Sequence, residues 1–122
     1  MLNVTVNQED GIVILVPDGA LTRKDFESAA AVIDPYIEAA GKLHGVIIYT
    51  KAFPGWDSFA ALLSHLKFVR DHHRKVARVA MATDSVVGDL AEAVTGHFVQ
   101  AEVKHFRFSE FRQARLWVLG LG

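Results

Sequence analysis

The sequence predicts an α/β domain with a single mixed, mostly parallel five-stranded sheet and about four helices, in the order β-β-α-β-α-β-α-β-α. Short apolar segments of strand length alternate with longer segments whose apolar residues recur at helical spacing. Only a turn separates the first two strand segments, whereas a helical segment separates each later pair, which favours parallel pairing. No linker, repeat or low-complexity stretch interrupts the 122 residues, so we expect one domain over residues 1–122.

Two strands open the chain. Leu2, Val4 and Val6 alternate with polar residues, which is typical of a strand with one face in water. A Glu-Asp-Gly turn occupies residues 9–11, and residues 11–17 are apolar on both faces, as in a strand covered on both sides. We expect the two strands to pair as an antiparallel hairpin.

The first helix is predicted over residues 21–41, where apolar side chains recur at helical spacing. Thr22 is the expected N-cap, with Asp25 three residues later. Pro35 lacks a backbone N–H, so we expect either a kink there or a second short helix beginning there. Gly41 is the expected end of this segment.

The rest of the chain repeats the strand–helix alternation. The predicted strand segments are residues 44–50, 75–83 and 102–108. Each is followed by a helical segment with an expected capping residue, namely Asp57 or Ser58, Asp84 or Ser85, and Ser109. The last strand segment is more polar than the others, so we expect it at an edge of the sheet.

Composition narrows the class of protein. A formal net charge of −1 and a pI of about 6.6 do not suggest binding to nucleic acid or to an anionic membrane. The chain has no cysteine, which excludes disulfides, thiolate chemistry and cysteine-based zinc sites. It shows neither a signal-peptide pattern nor an apolar run of membrane-spanning length. We therefore expect a soluble cytoplasmic domain.

Three sequence patterns resemble one known family. An early G-x-LT-x-x-D-[FY] pattern, a loop of the form F-x-GW and a final F-x-x-x-E-x-x-x-A-x-x-W pattern occur in order. They comprise Gly19, Leu21, Thr22, Asp25 and Phe26; Phe53, Gly55 and Trp56; and Phe106, Glu110, Ala114 and Trp117. In their order and spacing, the chain resembles the SpoIIAA-like family, a relative of STAS domains and anti-sigma-factor antagonists.

The resemblance implies a domain without known catalysis, and we expect no cofactor. STAS domains act as regulatory modules that bind protein partners, and SpoIIAA-like members also resemble the CRAL-TRIO lipid-binding fold, which suggests an apolar ligand. Anti-sigma-factor antagonists carry a phosphorylatable serine in a short turn after the third strand. Here that turn is longer and aromatic, so Ser58 is either a phosphorylation site or a plain helix cap.

The loop after the third strand is the first candidate site, because open α/β sheets bind ligands beyond the carboxyl ends of their strands. We expect an apolar pocket near this FPGW loop. Its predicted lining residues are Phe53, Trp56, Phe59, Leu62 and Leu63. The alternative is that Trp56 only packs the loop onto the sheet.

Two further features leave alternatives open. Arg78, within an apolar strand, either binds an anionic head group, pairs with a buried carboxylate, or extends to the end of the sheet with its stem on apolar surface. Phe68, Trp117 and Leu119 are either partly buried or belong to an exposed patch used for dimerisation.

Neither metal binding nor catalysis has a specific motif in the sequence. His65 and His72 lie about 10 Å apart along an ideal helix, which is too far for both to bind one ion. No acidic cluster completes a set of metal ligands with them or with the neighbouring His73. Asp84 and Asp89 flank a strand-to-helix turn, but spacing assigns neither a catalytic role. We expect no metal site and no enzyme.

Two functional hypotheses remain. In the first, the domain carries or senses an apolar small molecule or lipid in the pocket near the FPGW loop, with Arg78 or a histidine at its polar head. In the second, it is a STAS-like regulatory module that binds a protein through the loop and the helix after it. A homodimer is compatible with both.

Overall fold

Five strands form one mixed sheet in this computed structural model, which describes residues 2–18, 22–40, 43–51, 76–84 and 102–121. The strands are β1 (Leu2–Asn7), β2 (Ile12–Pro17), β3 (Leu43–Tyr49), β4 (Val76–Ala82) and β5 (Glu102–Phe106). They lie in the order β1-β2-β3-β4-β5, so neighbours in sequence are also neighbours in the sheet. β1 pairs antiparallel with β2, and the other three pairs are parallel. Both features confirm the predicted mixed, mostly parallel sheet.

A four-residue turn joins β1 to β2. Gly11 has a φ of 68°, a left-handed conformation that favours glycine, and its N–H donates to the Asn7 carbonyl at 2.9 Å. The Asn7 side chain closes the same turn, because its oxygen accepts from the Asp10 N–H at 3.2 Å. The Glu-Asp-Gly signal therefore produces the hairpin that it predicts.

The sheet is apolar on both faces. Aligned residues of neighbouring strands point to the same side of the sheet, and both rows of aligned side chains in its centre are apolar. Ile47, for example, is aligned with Ile14 on one strand and Ala80 on the other. We call this side the α2 face, because the final helix packs on it. The opposite face carries a second row of buried side chains: Val13, Leu15, Val46, Ile48, Val79 and Met81.

The final helix, α2 (Phe111–Val118), follows a 3₁₀ turn at Phe108–Glu110. Its buried residues Ala114 and Val118 join the core cluster of the α2 face. The sheet residues of that cluster are Ile12, Ile47, Ala80, Ala82 and Phe106. Helix α2 thereby closes one side of the sheet's centre.

The first helix, α1 (Arg23–Ala40), is continuous through Pro35. Of the two outcomes expected at this proline, the second short helix is wrong. Thr22 and Asp25 cap the start reciprocally, as predicted: the Thr22 N–H donates to the Asp25 carboxylate at 2.8 Å, and the Asp25 N–H donates to the Thr22 hydroxyl at 3.3 Å. Ala29 and Ile33 are fully buried, one helical turn apart.

Three other predictions have different outcomes. The polar last strand, β5, lies at one end of the strand order, which confirms the predicted edge.

Ser109 is not the cap of the final helix, because it lies within the 3₁₀ turn and α2 begins only at Phe111. The Glu110 carboxylate closes that turn by accepting from the Arg107 N–H at 2.8 Å. The helices predicted to start near Ser58 and Ser85 lie outside the described residues.

Candidate functional site

The ends of β2 and β3 and the 3₁₀ turn surround a cleft of about 400 Å³. Its described lining residues are Asn3, Val16, Pro17, Asp18, Tyr49, Thr50, Lys51 and Phe108. The cleft lies where the parallel strands finish, at what we call the carboxyl end of the sheet. Ligands of open α/β sheets bind at this end, because the loops that follow the strands converge there.

One wall of the cleft is aromatic. The rings of Tyr49 and Phe108 stack with centroids 4.6 Å apart and an interplanar angle of 2°. Phe111 packs against Tyr49 at the same centroid distance, tilted by 53°. Tyr49 reaches this position because it is aligned with Ala82 and therefore lies on the α2 face. The wall offers flat apolar surface at the mouth of the site.

The position of Phe108 depends on Asp84. The Phe108 N–H donates to Asp84 Oδ1 at 3.0 Å, and this bond connects the segment just after β4 to the turn after β5. The predicted role of Asp84 as a cap for the following helix lies outside the described residues, but its carboxylate does order the aromatic wall.

Two buried threonines hold the strand ends together. The Thr50 hydroxyl donates to the Pro17 carbonyl at 3.2 Å, and the Thr83 hydroxyl donates to the Lys51 carbonyl at 3.3 Å. Their backbone N–H groups donate to the carbonyls of Ala82 and Phe106 at 3.2 and 3.0 Å. These hydroxyls thus serve as cross-links between strand ends, which makes the floor of the cleft rigid.

Lys51 combines a fixed backbone with an exposed side chain. Its carbonyl accepts from both the Thr83 hydroxyl and the Asp84 N–H, each at 3.3 Å. Within the part of the chain that the structure describes, no carboxylate pairs with its ammonium group, whereas Arg23 pairs with Glu27 at 3.5 Å and Arg115 pairs with Asp10. Lys51 therefore brings to the cleft a positive charge that forms no ion pair with a described residue.

Another described depression, of about 480 Å³, lies between the β1–β2 turn and α1. Its lining comes mostly from the outer side of the helix: Gln8, Val32, Pro35, Tyr36 and Ala39. The Tyr36 hydroxyl already donates to the Gln8 carbonyl at 3.4 Å. Since no charged side chain lines this depression among the described residues, the carboxyl-end cleft is the better candidate.

Arg78 lies in the first half of β4, four residues before Ala82 and away from the carboxyl end. Its guanidinium donates to the Trp117 carbonyl, stacks 5.0 Å from the centre of the Trp117 ring, and lies 4.0 Å from the Glu102 carboxylate. The sequence left open whether Arg78 binds a ligand, pairs with a carboxylate or covers apolar surface. In the structure it contacts the C-terminus of α2 and an exposed carboxylate.

Trp117 and Leu119 are half-buried and pack against the core cluster of the α2 face. For these two residues the structure gives partial burial, one of the two alternatives, rather than an exposed patch. Phe106 contributes to this packing, since its ring centre lies 5.9 Å from that of Trp117. Phe68 lies outside the described residues.

The remaining predicted site residues also lie outside the described residues. They are Phe53, Trp56, Phe59, Leu62, Leu63 and the phosphorylation candidate Ser58. Lys51 is the last described residue before that segment, and it lines the cleft. In the sequence, Phe53 of the FPGW loop follows Lys51 by two positions.

Sequence reasoning missed Tyr49 and Phe108 as site residues. Tyr49 ends an apolar strand, a position that by itself suggests burial. Phe108 lies far from it in sequence, and no local pattern connects the two. The only available signal was the general rule that residues at the carboxyl ends of parallel strands converge.

The described residues show neither a metal site nor a membrane-spanning helix. They contain no group of three or more His, Asp or Glu side chains able to hold a metal ion. None of the described helices is both long and apolar enough to cross a membrane.

Comparison with known proteins identifies the family. The model of the SpoIIAA-like family matches residues 12–119, from β2 to just beyond α2. Among solved structures, the chain is similar to an uncharacterized protein of the DUF3478 family with a SpoIIAA-like fold from Shewanella loihica PV-4. That likeness has a TM-score of 0.60 at 20% identity and covers 97% of this chain and 92% of the other, so it supports the fold alone. A search of the curated proteins finds no significant match. By the extent of the family match, this chain belongs to the SpoIIAA-like family.

Proposed function

We propose that this domain is a non-catalytic binding protein that takes an apolar small molecule or lipid at the carboxyl end of the sheet. The observation that carries the proposal is the cleft bordered by the Tyr49–Phe108 wall. Lys51, which lines this cleft, precedes Phe53 of the FPGW loop by only two positions in the sequence. In this proposal the loop and the segment after it complete the pocket. Their contributing residues are Phe53, Trp56, Phe59, Leu62 and Leu63.

Burial of apolar surface supplies the driving force. Transfer of apolar area from water contributes about 25 cal/mol per Å². A ligand that covers the Tyr49–Phe108 wall and inserts beneath aromatic loop residues gains affinity mainly from this term. The threonine cross-links at the strand ends add preorganisation, because a rigid floor loses little entropy when a ligand binds.

Arg78 is not among the described residues that line the cleft. Its guanidinium lies near the start of β4, where it contacts the Trp117 carbonyl and the Glu102 carboxylate. A residue at the carboxyl end of the sheet is therefore better placed to meet the polar head of a ligand in this cleft.

The alternative function is a STAS-like regulatory module that binds another protein. Membership of the SpoIIAA-like family favours it, as do exposed apolar side chains in and after α2. Leu116 is 37% exposed and Leu121 is 73% exposed. Exposed apolar side chains of this kind suit a modest protein interface.

Native mass spectrometry of the purified protein, followed by organic extraction, tests the proposal. We expect the wild-type protein to carry or to take up an apolar ligand, and Trp56→Ala to lose at least about tenfold in affinity because a large buried contact is removed. Trp56→Phe keeps an aromatic ring at the site and should retain most of the binding. Leu121→Ala, at an exposed position after α2, serves as the matched control and should bind like the wild type.

Two results would contradict the apolar-ligand function. One is a wild-type protein that is bare after purification and takes up no neutral apolar probe. The other is a Trp56→Ala protein that keeps its near-UV circular dichroism and binds as tightly as the wild type. Loss of the folded signal in Trp56→Ala would show instead that Trp56 belongs to the core.

A further inference from the structure

The carboxyl-end cleft combines an apolar wall with one ammonium group that forms no ion pair with a described residue. Lys51 is the only cationic side chain among the described residues that line it. The Tyr49–Phe108 stack lines the same cleft. An ammonium group beside an aromatic wall fits a molecule that is anionic at one end and apolar at the other.

We propose that the ligand is an amphiphilic carboxylate whose head group binds the Lys51 ammonium and whose first carbons lie against the Tyr49–Phe108 wall. This inference rests on the proposed function, since it specifies the polar half of the same ligand. It adds a binding residue at the carboxyl end and the chemical class of the molecule bound.

Backbone hydrogen bonds hold Lys51 in place for this role. The Lys51 carbonyl accepts from the Thr83 hydroxyl and the Asp84 N–H, so the start of its side chain is fixed beside the wall. On the Lys51 side, both bonds use only the main-chain carbonyl. A substitution at Lys51 therefore removes the ammonium group while the cross-links between the strand ends stay in place.

Charge count favours a carboxylate over a phosphate monoester. The described lining offers one ammonium, from Lys51, and also the Asp18 carboxylate. A dianionic phosphate would meet a single cation and face a like charge in the same cleft. A carboxylate carries only the one negative charge that Lys51 can compensate. The amide of Asn3, also in the lining, can donate a further hydrogen bond.

Displacement of a neutral fluorescent reporter, N-phenylnaphthylamine, compares three probes of equal chain length: decanoate, decanol and decyl phosphate. We expect the wild-type protein to bind decanoate about tenfold more tightly than decanol, in the range of a charge-assisted hydrogen bond. Decyl phosphate should bind more weakly than decanoate. The decanoate affinity should also fall as salt is added, whereas the decanol affinity should not.

Substitutions at Lys51 identify the group responsible. Lys51→Gln should weaken decanoate about tenfold and leave decanol unchanged, because only the charged contact is lost. Lys51→Arg should keep the preference for decanoate. Lys24→Gln, which removes an exposed lysine on α1 outside the cleft, is the matched control and should change neither affinity.

Each contrary outcome has a distinct meaning. Equal wild-type affinity for decanoate and decanol, unaltered by Lys51→Gln, would overturn the carboxylate assignment and leave the apolar-ligand function standing. An equal loss of both probes in Lys51→Gln would also overturn it, because Lys51 would then act through packing. A protein that binds neither the reporter nor any probe would overturn the proposed function itself.

Discussion

Gly45 shows how a single residue controls the packing of the α2 face. A Cβ atom at this position would collide with Cγ1 of Val118 and lie 2.7 Å from the Arg78 carbonyl oxygen. The first contact is with a buried helix side chain and the second with the backbone of the neighbouring strand, so neither can yield freely. The absence of a side chain at Gly45 therefore lets α2 sit directly on β3 and β4.

We predict that Gly45→Ala lowers the free energy of unfolding by about 3 kcal/mol, the upper part of the range for an overpacked core. Urea denaturation followed by circular dichroism measures the change. Gly120→Ala is the control: its Cβ would meet nothing within 4 Å, and only its φ of 78° opposes a side chain. That backbone cost is about 1 kcal/mol. Equal losses in the two variants would refute the collision at Gly45.

At the scale of an element, the stability of the start of α1 depends on whether the Asp25 carboxyl is ionised. The hydrogen bond from the Thr22 N–H lowers the pKa of the Asp25 carboxyl below its ordinary value of 3.8. A depressed pKa in the folded state means that the ionised carboxylate adds stability above the unfolded-state pKa. That stability disappears as the pH falls through the folded-state pKa.

We predict that Asp25→Asn is less stable than the wild type at neutral pH and that the difference shrinks as the pH falls below about 4. The urea midpoint of each protein across this pH range measures it. Ser28→Ala, at an exposed and non-ionisable position of the same helix, is the control, and its difference from the wild type should not depend on pH. A constant difference between Asp25→Asn and wild type at every pH would contradict the role of the charge.

The 3₁₀ turn before α2 illustrates competition between two local signals. Ser109 has the residue type of an N-cap, yet Glu110 forms the bond that matters, from its carboxylate to the Arg107 N–H. That bond closes a tighter turn, and α2 begins after it. Cap preferences alone could not decide between a helix capped by Ser109 and a 3₁₀ turn before the helix. They depend on residue type, whereas the result also depends on how the chain leaves the preceding strand.

At the scale of the whole molecule, the described core is shared between elements. β3 and β4 contribute buried side chains to both faces of the sheet, and α2 packs on one of them. Loss of α2 would expose the central strands, so helix and sheet are expected to unfold together.

We predict a single unfolding transition for this domain. The chain has two tryptophans, so Trp56→Phe leaves Trp117 on α2 as the only one. In that variant, Trp117 fluorescence and far-UV circular dichroism should give the same urea midpoint. A fluorescence midpoint at clearly lower urea would mean that α2 detaches before the sheet unfolds.

Local patterns accounted for much of the architecture. Strands buried on both faces give uninterrupted apolar runs, as in Ile12–Pro17, and the Thr22–Asp25 cap follows from residue type and spacing. The candidate site was harder to predict. The general rule for open α/β sheets predicted that the site lies at the carboxyl end of the strands. It could not predict the Tyr49–Phe108 wall, because these two residues are distant in sequence.

The sequence by itself determined the fold class, the antiparallel first pair, the polar edge strand and the family, because each depends on local periodicity or on ordered short motifs. Only the tertiary structure decided the order of the strands, the partners of Arg78 and the exposure of Lys51 beside an aromatic wall. The physical reason is that a strand's apolar pattern specifies that it is buried and not beside which neighbour. Contacts such as that between Arg78 and Trp117 exist only after the strands and α2 have packed together.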